Sequence, residues 1–124
     1  MSFNWSEYLA LAQQLAGKAQ ISATQESRLR SAISRAYYSA FIQARNHLRD
    51  RMSLSIPRKN THEYVIKQFQ NSSDPIRQQI GEALDRIRYN RNLADYDDTV
   101  ANLPTITRRS LKLAAQVISA LQSL

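Results

Sequence analysis

The residues best suited to chemistry fall in two stretches. One begins with Arg86, Arg88 and Arg91-Asn92 and runs into Asp95-Tyr96-Asp97-Asp98, so guanidinium groups directly precede an acidic patch. Upstream, Ile76, Ile80, Ala83, Leu84 and Ile87 recur at helical spacing, and the same period continued reaches Asn90, Arg91 and Ala94. Arginine therefore stands where the pattern asks for an apolar residue. A guanidinium that points inward has to meet a carboxylate, a cleft or another subunit, because an unpaired buried charge is costly. Two readings of Arg91 follow. It forms an ion pair with Asp95 or Asp98, in its own chain or across a dimer, or it binds an external anion with its planar fork.

The second stretch is Ser34-Arg35-Ala36-Tyr37-Tyr38-Ser39-Ala40-Phe41. Its tyrosines are expected to place one ring on the apolar stripe and one at an interface or cleft rim. Beside arginines, such rings could also stack nucleobases. The histidines, His47 and His62, lack metal-ligand spacing and read as structural, the alternative being entry into a composite site from another helix or subunit. Asp97-Asp98 could hold magnesium, but nothing else in the sequence supports a metal site, and no cofactor is expected.

Composition narrows the field. The chain has 124 residues, one domain's length, with 17 Lys+Arg against 10 Asp+Glu and a formal charge of +7. It contains no cysteine, which excludes a disulfide scaffold, thiolate metal sites and a cysteine nucleophile. Its two glycines exclude a glycine-rich phosphate loop. No signal-like segment or membrane-length apolar run is in view, so a cytoplasmic protein is expected. The basic excess points to a polyanionic partner, nucleic acid first and an acidic protein second, with a merely basic, soluble surface as the alternative.

The elements that must position these residues are helices. Low Gly and Pro with abundant Ala, Leu, Gln and Arg favour helix almost throughout. The first is expected from about Asn4 to Lys18, with Leu11 and Leu15 inward and Gly17 near its end. A long second helix from about Ala23 to Met52, capped by Ser22, carries the stripe Leu29, Ile33, Ala36, Tyr37, Ala40, Phe41, Ala44 and Leu48. Arg28, Arg30, Arg35, Arg45, Arg49 and Arg51 lie largely off it, as a solvated face or an anionic docking strip. After a loop holding Pro57 and Arg58-Lys59, Thr61 is expected to cap a short third helix with Tyr64, Val65 and Phe69. Asp74-Pro75 starts the fourth. The last follows Asn102-Leu103-Pro104, with Leu111, Ala114, Val117, Ile118 and Leu121 in register. The expectation is all-α: a four- to five-helix antiparallel up-and-down bundle in a single domain over residues 1–124.

These residues resemble the HEPN domain family of small helical proteins. Ser34–Phe41 resembles the start of that family's long second helix, and Arg91-Asn92-Leu93-Ala94-Asp95-Tyr96-Asp97 its arginine-containing motif late in the fourth. The helix order and His62 at the head of a short third helix also fit, so the likeness covers most of the chain. The resemblance implies a homodimer with the arginine motifs facing across the interface. Many members are metal-independent endoribonucleases; others pair with a minimal nucleotidyltransferase in toxin–antitoxin or phage-defence systems, and others are noncatalytic partners or nucleotide binders. Active members carry a histidine after the arginine and four to six further residues. Here Tyr96 and Asp95 stand at the corresponding places, and no histidine follows Arg88 or Arg91.

Metal-free RNA cleavage needs a proton acceptor, a proton donor and a stabiliser of phosphorane charge. By the resemblance, Arg91 would stabilise charge, Asn92 would orient phosphate or sugar, and Tyr96 would stand in the histidine's place. Arg88, Arg35, Asp95 and Tyr38 would complete the anion or substrate site. A free tyrosine has a pKa near 10, which makes Tyr96 a poor base at neutral pH unless arginines lower it. Two functions therefore stand side by side: a HEPN-type protein acting on RNA, and a noncatalytic homodimeric module that binds a nucleotidyltransferase.

Overall fold

A computed structural model describes residues 2–17 and 24–124, in which five helices pack against one another: α1 (Ser6–Ala16), α2 (Gln25–Arg51), α3 (Thr61–Gln70), α4 (Pro75–Tyr96) and α5 (Leu103–Gln122). Their ends have local causes. Thr24 caps α2 by accepting a hydrogen bond from the Ser27 amide at 3.2 Å; Ser22, the expected cap, lies outside the described residues. Asp74 caps α4 through the Ile76 amide, with Pro75 in the first turn, as its sequence signal requires. Thr61 does not cap α3. Its hydroxyl donates back to the Pro57 and Arg58 carbonyls, and Asn60, in the left-handed region at φ 55°, precedes the helix. Asn102 opens α5 in the same conformation, which asparagine tolerates better than most residues.

The long second helix is the hub. Every residue of its expected stripe is buried, with Ile33, Tyr37 and Leu48 closed off almost completely. Around it lie Ala12 of α1, Val65 and Phe69 of α3, Ile80, Leu84 and Ile87 of α4, and Ala114 and Val117 of α5. Two expected core positions are exposed instead. Ile76 sits in the first turn of α4, ahead of the packed part, and Leu11 faces solvent while its neighbour Ala12 turns inward.

Arg28 and Arg30 of α2 turn away from the solvated strip expected of them. Arg28 Nη1 donates to the carbonyls of Leu15 and Gly17 at 3.0 and 2.7 Å, closing the end of α1. Arg30 Nη1 donates to Ala94 and Asp97 at 3.0 and 2.6 Å, and Nη2 to Asp98 at 3.1 Å, closing the end of α4. The last carbonyls of a helix lack intrahelical partners and carry its negative pole, so an arginine satisfies both needs.

The four residues between α3 and α4 fold α4 back along α3. At Gly81 the backbones nearly touch: an added Cβ would lie 2.6 Å from the Gln70 amide nitrogen. From that contact, eight residues back along α3 lies His62, and seven residues forward along α4 lies Arg88. Both steps are about two helical turns, so the antiparallel pairing sets His62 opposite Arg88. Among the described residues, no helix is long and apolar enough to cross a membrane.

Candidate functional site

Arg91 enters the space between α4 and α2 with only 16% of its side chain exposed. Its Nη2 donates to the Tyr38 hydroxyl at 2.8 Å and its Nη1 to Asn92 Oδ1 at 3.2 Å. The Nε lies 2.8 Å from Asp95 Oδ2, one helical turn ahead, as an ion pair; its N–H is not aligned with the carboxylate and makes no hydrogen bond. Asp95 Oδ2 also accepts from Ser34 Oγ at 3.4 Å. The guanidinium is flanked by three rings, with centroids 5.1 Å away for Tyr38, 5.6 Å for Tyr96 and 6.0 Å for Tyr37. On the far side of Tyr38, Arg35 sits between that ring and Tyr8, 5.8 and 4.9 Å from the centroids.

Of the site residues expected from the sequence, Arg91, Asn92, Asp95, Tyr96, Tyr38 and Arg35 lie together, on different terms. Arg91, Asp95 and Tyr38 are in direct contact. Asn92 touches Arg91 from an exposed position, and Tyr96 is 71% exposed, with only its ring face near the guanidinium. Arg88 points to the adjoining cleft. Asn90, the other polar residue on the apolar period of α4, is explained by a partner on α5: its side-chain amide donates to the buried Ser110 hydroxyl at 3.1 Å.

The adjoining cleft, about 450 Å³, is lined by Tyr38, Phe41, Ile42 and Arg45 of α2, by Arg58 and Asn60 of the loop, by Thr61 and His62 of α3 and by Arg88 of α4. His62 is fixed from behind. Its Nδ1 shares a 2.5 Å hydrogen bond with the buried Tyr37 hydroxyl, and its ring stacks on Phe41 at 4.2 Å between centroids. Burial, reinforced by Arg88 and Arg91, pushes its pKa down to about 4, so the imidazole is neutral at pH 7. Burial likewise raises the Tyr37 phenol above its ordinary range, which keeps it a hydrogen-bonding group rather than an acid.

Arg45, Arg58 and Arg88 have no carboxylate within 4.0 Å among the described residues. Glu63, the acidic residue beside His62, pairs with Lys67 at 3.0 Å instead. From the sequence alone His62 reads chiefly as structural, Arg45 belongs to a solvated face or an anionic docking strip, and Arg58 falls in a loop. Arg45 follows Tyr38 by seven residues, two turns along the same face, and that spacing was the available signal. Nothing local to Arg58 or His62 could tie them to Arg88, because the pairing of α3 with α4 does so.

A larger groove, about 1310 Å³, runs between α4 and α5 past Arg86, Tyr89, Arg109 and Lys112. It holds no histidine and none of the Arg91 contacts. His47, the other histidine, is buried near Phe69, with Arg77 Nη2 3.3 Å from its Nε2. Burial first, then Arg77 and Arg51, lowers its pKa. Among the described residues no group of three or more His, Asp or Glu is placed to hold a metal ion.

Comparison with protein-family models, curated proteins and solved structures gives no match to this chain.

Proposed function

We propose that this is a HEPN-type protein directed at RNA, of the kind found in toxin–antitoxin or phage-defence pairs, working as a homodimer. The observation that carries the reading is the placement of carboxylate-free Arg88, Arg45 and Arg58 around His62, directly beside the Arg91 cluster. Arginines attract phosphate. The imidazole missing from the arginine motif itself has a spatial counterpart in His62, neutral at pH 7 and held by Tyr37.

The test is incubation of the purified protein with mixed RNA, with and without EDTA, beside Arg88→Ala and Arg91→Ala. RNA binding that weakens with salt and with Arg88→Ala is the expected result. Cleavage that survives EDTA and disappears in both variants would add a metal-independent endoribonuclease activity. Affinity unchanged across a salt series would overturn the reading.

A second reading has its own observation. Arg91 already spends its contacts on Asp95, Tyr38 and Asn92, which suits a part that shapes a surface more than one that meets substrate. On this reading the chain is a noncatalytic homodimeric module that binds a minimal nucleotidyltransferase. Co-purification of such a protein, from a chain that neither binds nor cleaves RNA, would favour it.

A further inference from the structure

The cleft around His62, about 450 Å³, is lined by residues of α2, the loop after it, α3 and α4. Its charge is concentrated. Arg45, Arg58 and Arg88 come from separate elements and meet no carboxylate within 4.0 Å among the described residues. Arg45 is partly buried with only Asn46 Oδ1 as its side-chain acceptor, at 3.0 Å from Nη2. The start of α3 opens on the same space through Asn60, Thr61 and His62, and no side chain caps its first turn. A helix start adds partial positive charge to that of the guanidinium groups.

We infer that this cleft is a phosphate-monoester site, which takes the terminal phosphate of an RNA strand or of a free mononucleotide. A monoester carries nearly two negative charges at pH 7, whereas an internal phosphodiester carries one. A site with three guanidinium groups and an open helix start on one small volume gains more from the dianion. The His62 ring takes part as a neutral donor. When the Tyr37 hydroxyl donates to Nδ1, the ring proton sits on Nε2, free to donate to a phosphate oxygen. Tyr37 is then a positioning residue. The strand-end arm of this inference rests on the RNA-directed reading; the mononucleotide arm does not.

The test compares oligoribonucleotides of one sequence carrying a 5′-phosphate, a 3′-phosphate or free hydroxyl ends, and adds adenosine 5′-monophosphate against adenosine. Binding to the full chain is followed by calorimetry, and His62 by NMR. Either phosphorylated strand is expected to bind at least about tenfold more tightly than its hydroxyl twin. Arg58→Ala, on an exposed loop and safe for folding, should abolish that difference, as should Arg88→Ala. In the phosphate complex the His62 pKa should rise from its value of about 4. The same preference for adenosine monophosphate over adenosine would identify a free nucleotide as a sufficient ligand; a preference confined to strands would identify the strand end. Equal affinity for phosphorylated and hydroxyl forms in both series would overturn the inference, even with RNA binding intact. Absence of RNA binding with a retained monophosphate preference would overturn the RNA reading and leave the site.

Discussion

Replacing Arg30 by alanine tests whether α2 holds the end of the helix that carries the Arg91 cluster. The Arg30 side chain is 19% exposed and donates three hydrogen bonds to backbone carbonyls, of Ala94, Asp97 and Asp98. Hydrogen bonds from a charged donor are worth about 1.5–3 kcal/mol. Ala94 is buried, so its carbonyl has no ready substitute and should account for ~2 kcal/mol. Asp97 and Asp98 are exposed and water can replace the arginine there, leaving about 0.5 kcal/mol each. The expected loss is ~3 kcal/mol, which for a domain of this size lowers Tm by about 10 °C. Glu26→Ala serves as the control. Glu26 is 70% exposed and 3.5 Å from Arg30, so its loss should cost under about 0.5 kcal/mol. Calorimetry gives the stability, and amide exchange at Asp95, Tyr96 and Asp97 should speed up selectively in Arg30→Ala. A loss within ~0.5 kcal/mol, or unchanged exchange at those amides, would refute the argument that this arginine closes α4.

Other expectations can be checked on the same material. Gly81→Ala should destabilise by about 2 kcal/mol in urea unfolding, because overlap with the Gln70 backbone outweighs the ~1 kcal/mol helix preference of alanine; a stabilised variant would contradict the close contact. Asn90→Ala strands the buried Ser110 hydroxyl and should lose about 2 kcal/mol, partly regained when Ser110→Ala is added. His62 is held neutral to about pH 4, below its ordinary value near 6.5, so the unfolded chain takes up the proton first. Stability should therefore fall as pH drops from about 6.5 to about 4, and His62→Gln should flatten that part of the profile; an identical slope would show that other groups set it.

The helices were legible because local signals agree with the packing. Asp74-Pro75 marks a start, and the period of α2 names its buried face residue by residue. The misplaced features have physical causes outside any local window. Thr61 looked like a cap, yet its hydroxyl is spent on the preceding loop. Arg28 and Arg30 looked solvated because their acceptors are carbonyls on other helices, which side-chain patterns do not reveal. The break in the period of α4 did identify inward polar residues. It could not say that Asn90 serves a core hydrogen bond while Arg91 serves the surface cluster, since their partners lie on α5 and α2.

The backbone contact at Gly81 has a thermodynamic consequence for whatever enters the cleft. Long side chains can slide past each other, but two backbones in contact cannot move closer. The contact of α3 with α4 at that point limits how near the backbones of His62 and Arg88 can come two turns away. On the proposal above, the ligand meets α3 and α4 already paired, and the entropy of ordering those two helices has been lost during folding rather than during association. Widening the seat at Gly81 would therefore return that entropy to the binding step. Affinity would fall although no residue that touches the ligand had changed.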